Sequence, residues 1–437
     1  MAVKALYETK PLESYAFMKE VRRNYVKRLW SSNERGGTVF VGGYADLTAL
    51  PMGLGDVNPF GFGPYFARIL RDKRLAIQCN EAMESRGFGH DICGTLRTNL
   101  GSAYLNFQNK APNGEYIHPN FILEVHMCEA QSKTAQLYAE HYKVPMYSID
   151  MPMIPSDHDP SVKKNYLSAQ IYEAIEWMQK VTGKVFQDEL FLEAVKNEWR
   201  CRWYWAQIAM LQRATPAPLD LRLINSYAAM ATTSNRTKDG ADALQMLFEE
   251  TEQRVRDGIA SLATERCRLL HEGQPPYYYP PFLKFPREFG ASVIGGRTIF
   301  CLFSAFSVDD DGHYHVVEPP WMRGQELRTR EDGVNAMVDL FIEYARMPTD
   351  FLIGPKVHEV PVVAQDWHAD GVLLHQDISC KGGAAGLVES QRGLQQIGVP
   401  TMLYEASNPD PRDFSEAQVM DRLESFMESL GLTKLDA

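Results

Sequence analysis

Three of the chain's seven cysteines, Cys93, Cys128 and Cys380, each stand where an extended run gives way to a helix, in FGHDICGTLR, FILEVHMCEAQSK and GVLLHQDISCKGG. A helix N-terminus offers unpaired N–H groups and a favourable dipole, both suited to an anionic sulfur. Three thiolates gathered at such points would hold an iron–sulfur cluster and leave one iron open to water, substrate or another subunit. In an open α/β sheet the carboxyl ends of the strands face a common crevice, so segments remote in sequence can meet there. Asp91 stands where it can cap the Cys93 helix, and the glycines after Cys380 let backbone approach a bulky inorganic core. Each cysteine alone also reads as a small buried apolar residue. The topology they share is what favours metal.

The remaining cysteines read differently. Cys201 in NEWRCRWYW and Cys267 in TERCRLL fall within helical patterns, Cys301 falls within an apolar strand, and all three read as structural. Cys79 lies near Cys93 but reads as core. Zinc is disfavoured, because short C-x₂₋₄-C pairs are missing. His126 alternates to the face of Cys128. His375, with Asp377, precedes Cys380, so either histidine is placed to donate a proton near the metal. Arg86, Arg97 and Lys133 are candidates to meet phosphates or cluster charge, with a solvated face as the plainer reading of each.

Positioning these residues requires α/β architecture. A polar helix before residue 35 carries Tyr15, Met18, Val21 and Tyr25 on one stripe and stops at Gly36-Gly37. Strands TVFVGGY, FILEVHM and VPMYSID then alternate with helices, as a parallel unit would. The segment Gly42 to Gly63 reads as irregular loop. From Val162 helix follows helix. NYLSAQIYEAIEWMQKV places Leu167, Ile171, Ile175 and Met178 on one face, and a similar period continues from DALQMLF into TERCRLL. PPYYYPP punctuates. ASVIGG, TIFCLFSAF, GVLLHQ and PTMLYEA read as strands of a second α/β unit, and a last helix starts at a capping box of Ser415 and Gln418. The expected architecture is two Rossmann-like parallel-sheet domains separated by a helical domain, bounded at 1–161, 162–280 and 281–437.

At 437 residues the chain is long enough for two or three cores. A net charge of −11 opposes nonspecific nucleic-acid binding, and no apolar run nears the roughly 18 residues of a membrane span. With no secretory pattern at the start and an odd number of widely spaced cysteines, the expected setting is a reducing cytoplasm.

The cysteine segments, KNEWRCRWYW, FGASVIGG and the tail GVPTMLYEASNPDPRDFSEAQVMDRLESF together resemble the benzoyl-CoA reductase and 2-hydroxyacyl-CoA dehydratase family. Within it, HDICGTLRTNLG and WSSNERGG are most similar to the B-type subunits of ATP-dependent benzoyl-CoA reductases. The resemblance implies a [4Fe–4S] cluster on Cys93, Cys128 and Cys380, with a larger fused cluster as an open alternative. It implies a similar C-type iron–sulfur partner, ATP-hydrolysing electron-activating subunits, ferredoxin upstream, and reductive dearomatisation of benzoyl-CoA. Dehydration of a 2-hydroxyacyl-CoA, or a noncatalytic electron-relay role, stays open beside it. Many relatives carry Pro-x-Glu-Leu after the first strand. Here Asp46 stands in that place, on a shorter arm.

Overall fold

The computed structural model describes residues 5–42, 47–60, 72–107, 110–111, 113–152, 159–346, 348–349 and 352–435. Asp46 lies outside them. The N-terminal helix, Ser14–Trp30, buries Met18 and Val21. A parallel sheet follows, made of β1 (Thr38–Gly42), β2 (Val57–Pro59), β3 (Phe121–His126) and β4 (Met146–Asp150) in the order β2-β1-β3-β4. TVFVG and FILEVH are buried almost throughout, as strands covered on both faces must be. Phe40 stacks on Phe121 at 5.7 Å between ring centroids, and Trp177 meets Phe121 edge-on from the helical layer above.

The helical layer consists of Pro160–Thr182, Asp188–Leu211, Leu221–Ser234 and Lys238–Asp257. Leu167, Ile171, Ile175 and Met178 are buried, as their spacing predicts. Indole N–H groups tie this layer to the C-terminal half. Trp199 donates to the Ala336 carbonyl at 3.0 Å, Trp205 to Ile299 at 3.1 Å, and Trp367 donates back to Ala209 at 2.8 Å. One apolar core therefore runs from Met18 to Leu432, and a smaller one underlies the other face of the first sheet.

The second parallel sheet takes β5 (Cys267–Glu272) and β6 (Ala291–Gly295) first. An antiparallel ribbon, β7 (Phe306–Val308) with β8 (Tyr314–Val316), stands apart from it. β9 (Gly371–Asp377) and β10 (Thr401–Ala406) complete the order β10-β9-β5-β6. An inner strand thus comes from ahead of residue 281. No helix among the described residues is long and apolar enough to cross a membrane.

Several local expectations are corrected. The helix through DALQMLF ends at Asp257, where Gly258 adopts a left-handed conformation, and Cys267 begins a strand rather than lying in a helix. TIFC is a short helix, Arg297–Cys301, so Cys301 is helical; an apolar run too short to show a period does not distinguish the two. The Gly42–Gly63 region holds a 3₁₀ turn and the edge strand β2. Ser415 is the N-cap of the last helix without a side-chain cap bond, and Cys93, not Asp91, occupies the N-cap before Gly94. PPYYYPP is more than punctuation, since Tyr278 is buried and packs edge-on against Phe414.

Candidate functional site

Each candidate cysteine is the residue immediately before a helix. Cys93 precedes Gly94–Tyr104, Cys128 precedes Glu129–Tyr142 just past β3, and Cys380 precedes the short turn Lys381–Ala384 just past β9. For Cys128 and Cys380 this is the predicted strand-to-helix junction. Cys93 instead follows a turn after the helix Lys73–Glu84, because FGHDI is too polar and glycine-broken to pair as a strand. All three are half-buried free thiols, whereas Cys79, Cys201, Cys267 and Cys301 are fully buried.

The three sulfurs are electrostatic neighbours. Burial pushes the Cys380 thiol up to about 12, with Cys93, Asp377 and Cys128 adding repulsion. Cys93 is raised first by burial and then by Asp377 and Cys128. Cys128 is raised by burial, with Glu124 and Glu129 adding to it. Opposing these costs, backbone amides of Leu96 and Thr95 lower the Cys93 thiol and those of Gln131 and Ala130 lower the Cys128 thiol, while Gly383 N donates to Cys380 Sγ at 3.3 Å. Partly buried thiols near enough to repel one another are costly to ionise. Half-exposed, mutually repelling sulfurs furnished with N–H donors are a donor set that fits an iron–sulfur cluster.

Asp377 builds the Cys380 turn. Its Oδ1 accepts from Ser379 N at 3.0 Å, Ser379 Oγ at 2.8 Å and Cys380 N at 3.2 Å. The register of β9 on β10 sets Asp377 opposite Ala406 and His375 opposite Tyr404.

The two candidate histidines occupy different surroundings. His126 ends β3 with 36% of its side chain exposed; its Nδ1 lies 3.1 Å from Asp150 Oδ1 and its Nε2 3.6 Å from Glu129 Oε1. His375 is buried and lies flat on the Tyr404 ring, with centroids 4.9 Å apart and planes 8° from parallel. Its Nδ1 donates to the Gln274 carbonyl, so buried Nε2 is left as a lone-pair acceptor without a partner. Burial lowers the His375 pKa. His271, 2.7 Å through Nε2 from the Tyr404 hydroxyl, is pushed down to about 3, first by burial and then by His375. A sealed neutral imidazole of this kind accepts a proton poorly and exchanges it slowly. His126 is the more accessible of the pair.

Of the three basic candidates, Lys133 bonds Gln136 at an exposed position and Arg86 lies over the Tyr104 ring at 4.6 Å. Arg97 departs from the solvated-face reading altogether, because its side chain is 0% exposed and paired to Glu84 and Asp410. Sequence reasoning overlooked that network. Its signal was the acid and Arg of N-P-D-P-R-D after an apolar strand.

A family model described as 2-hydroxyglutaryl-CoA dehydratase, D-component, matches residues 61–430. The chain is 25% identical to the (R)-phenyllactyl-CoA dehydratase alpha subunit of Clostridium sporogenes, over 80% of this chain and 79% of that one. It is 26% identical to the alpha subunit of the (R)-2-hydroxyglutaryl-CoA dehydratase of Acidaminococcus fermentans, over 71% and 60%. It is 25% identical to the B-type subunit of the benzoyl-CoA reductase of Thauera aromatica, over 79% and 78%.

Proposed function

Since the chain belongs to the 2-hydroxyglutaryl-CoA dehydratase D-component family, we propose that it is an iron–sulfur catalytic-core subunit acting on an acyl-CoA thioester. Its proposed reaction is reduction of benzoyl-CoA to cyclohexa-1,5-diene-1-carbonyl-CoA, which consumes two electrons and two protons. The observation supporting the cluster is the set of three half-buried thiols, each immediately before a helix and each raised by burial. Cys93, Cys128 and Cys380 would hold a [4Fe–4S] cluster, which when bound supplies single electrons at low potential.

The chain's own residues supply the rest. Amides of Leu96, Gln131 and Gly383 stabilise anionic sulfur, and Asp377 fixes the Cys380 turn. His126, oriented through Nδ1 by Asp150, holds a proton for the substrate at Nε2 and is replenished from solvent. Electrons arrive from ATP-hydrolysing activating subunits fed by ferredoxin, and a similar C-type subunit completes the core. The proposed domains are 1–161, 162–280 and 281–437, with β5 (Cys267–Glu272) lent to the last domain's sheet from ahead of its boundary, and the proposed setting is the cytoplasm.

A second reading, dehydration of a 2-hydroxyacyl-CoA, is favoured by the description of the family model and by the dehydratase relatives. The anaerobically purified complex, supplied with its activating partner and ATP, separates the two when given benzoyl-CoA alongside phenyllactyl- and 2-hydroxyglutaryl-CoA. Ring reduction supports the first reading. Dehydration with no ring reduction would replace it with the second.

A further inference from the structure

Apart from the cysteines, a buried charge network joins the Cys93 helix to the loop after β10. Arg97 Nε donates to the Ile92 carbonyl at 3.0 Å, and its Nη1 donates to Glu84 Oε1 at 2.8 Å and Asp410 Oδ2 at 3.1 Å. Asp410, also 0% exposed, accepts from Arg412 through the backbone N at 3.2 Å, Nε at 2.9 Å and Nη2 at 2.6 Å. Arg412 Nη1 reaches back to Glu84 Oε2 at 3.0 Å and closes the ring. Glu84, His90 and Asp410 offer ligand atoms within 4.8 Å of one another. Two guanidinium groups already neutralise both carboxylates, however, so a cation has little to gain there.

What this ring does follows from what it connects. Gly94 abuts the loop so closely that a Cβ there would stand 3.0 Å from Ser407 Oγ and 3.1 Å from the Asn408 carbonyl oxygen. Thr95 Oγ1 donates to that carbonyl at 3.3 Å. At the other end of the loop, Ile378 N donates to the Ala406 carbonyl at 2.9 Å, and Asp377 caps the turn that carries Cys380. Cys93 and Cys380 belong to different halves of the chain, yet one continuous set of contacts spans them, with Arg97 and Asp410 at its dry centre.

We infer that the Arg97–Asp410 ion pair is a positioning device that sets the Cys93 sulfur against the Cys380 sulfur, an inference that rests on the ligand assignment proposed above. A planar guanidinium fork fixes three directions at once, from Ile92 to Glu84 and to Asp410, which a lysine ammonium does not. Loosening it lets the two sulfurs drift while the sheets stay folded.

The test uses the anaerobic native complex carrying Arg97→Lys, Asp410→Asn, Cys93→Ser or Lys73→Met, the last breaking the exposed Lys73–Glu416 contact between the same two halves. Iron and sulfide per chain, the EPR spectrum, the midpoint potential and far-UV circular dichroism are recorded for each. Cys93→Ser is expected to lose iron. Arg97→Lys and Asp410→Asn are expected to fold, to show an altered EPR line shape and shifted potential in the iron they keep, and to turn over about 10–100-fold more slowly. Lys73→Met should keep the native spectrum. Native spectra and potentials in folded Arg97→Lys and Asp410→Asn, beside iron loss in Cys93→Ser, would overturn the positioning role alone. Iron retained in Cys93→Ser would overturn the ligand assignment instead. Should Arg97→Lys fail to fold, the nearly isosteric Asp410→Asn decides.

Discussion

A thiol that precedes a helix and one that lies inside it have opposite fates. Cys93, Cys128 and Cys380 keep an open side at a helix start, whereas Cys201 and Cys301 are sealed within helices. Replacing any of the first three by serine should therefore reduce iron per chain. Cys201→Ser and Cys267→Ser should leave it unchanged, with elemental analysis of the anaerobic complex as the readout. The histidines differ by the same logic of access. His126→Asn should keep the iron but slow turnover by about 10²–10⁴-fold, the range for loss of a positioned proton donor, when initial rates are measured at saturating thioester. Asp150→Asn should have a smaller effect, because it only orients the ring. These residues were legible because a cysteine just ahead of a helical pattern is a local signal, even at Cys93, where no strand leads into it. Asp377 was visible but had no assigned task until its three hydrogen bonds were seen.

At the scale of elements, two contacts hold the Cys93 helix in place. Gly101 lets it cross the preceding helix, Lys73–Glu84, so closely that a Cβ there would fall 2.0 Å from the Cys79 carbonyl oxygen. Gly101→Ala should destabilise the fold by about 1–3 kcal/mol, read from denaturant unfolding, because backbone rather than a flexible side chain must give way. The Arg97–Asp410 clasp is the other. Arg412 holds the Glu84 carboxyl below its ordinary value of 4.5, and for Asp410 burial works the opposite way but Arg412 and Arg97 outweigh it. A carboxyl depressed by folding contributes stability above its unfolded pKa and loses it as the pH falls through the folded value. The clasp should therefore contribute fully above about pH 4.5 and fade below it. Asp410→Asn should cost about 3–5 kcal/mol at neutral pH, and its unfolding midpoint should converge on that of the native chain in acid. The strands are readable as continuous apolar runs, and the Leu167–Met178 stripe because its helical period is sustained over several turns. The sequence misleads at TIFCLFSAF, where a short buried helix looks like a strand, and at TERCRLL, where Gly258 ends the helix before the apolar period does. Arg97 was misread because its partners lie across the fold and are invisible to local spacing.

As a whole molecule, the chain is two parallel sheets bridged by a helical layer through buried tryptophans, with thiol-bearing turns in both halves. That arrangement leaves the site assembled from segments whose relative placement depends on the entire fold, so no short fragment should bind iron. Competition between benzoyl-CoA and 2-hydroxyacyl-CoA thioesters decides substrate choice. The cluster itself is tested most directly by anomalous diffraction at the iron absorption edge on crystals of the anaerobic complex. One compact iron peak bounded by the Cys93, Cys128 and Cys380 sulfurs is the expected result. An iron-replete complex with no peak among those sulfurs, or with its iron at other residues of this chain, would contradict it.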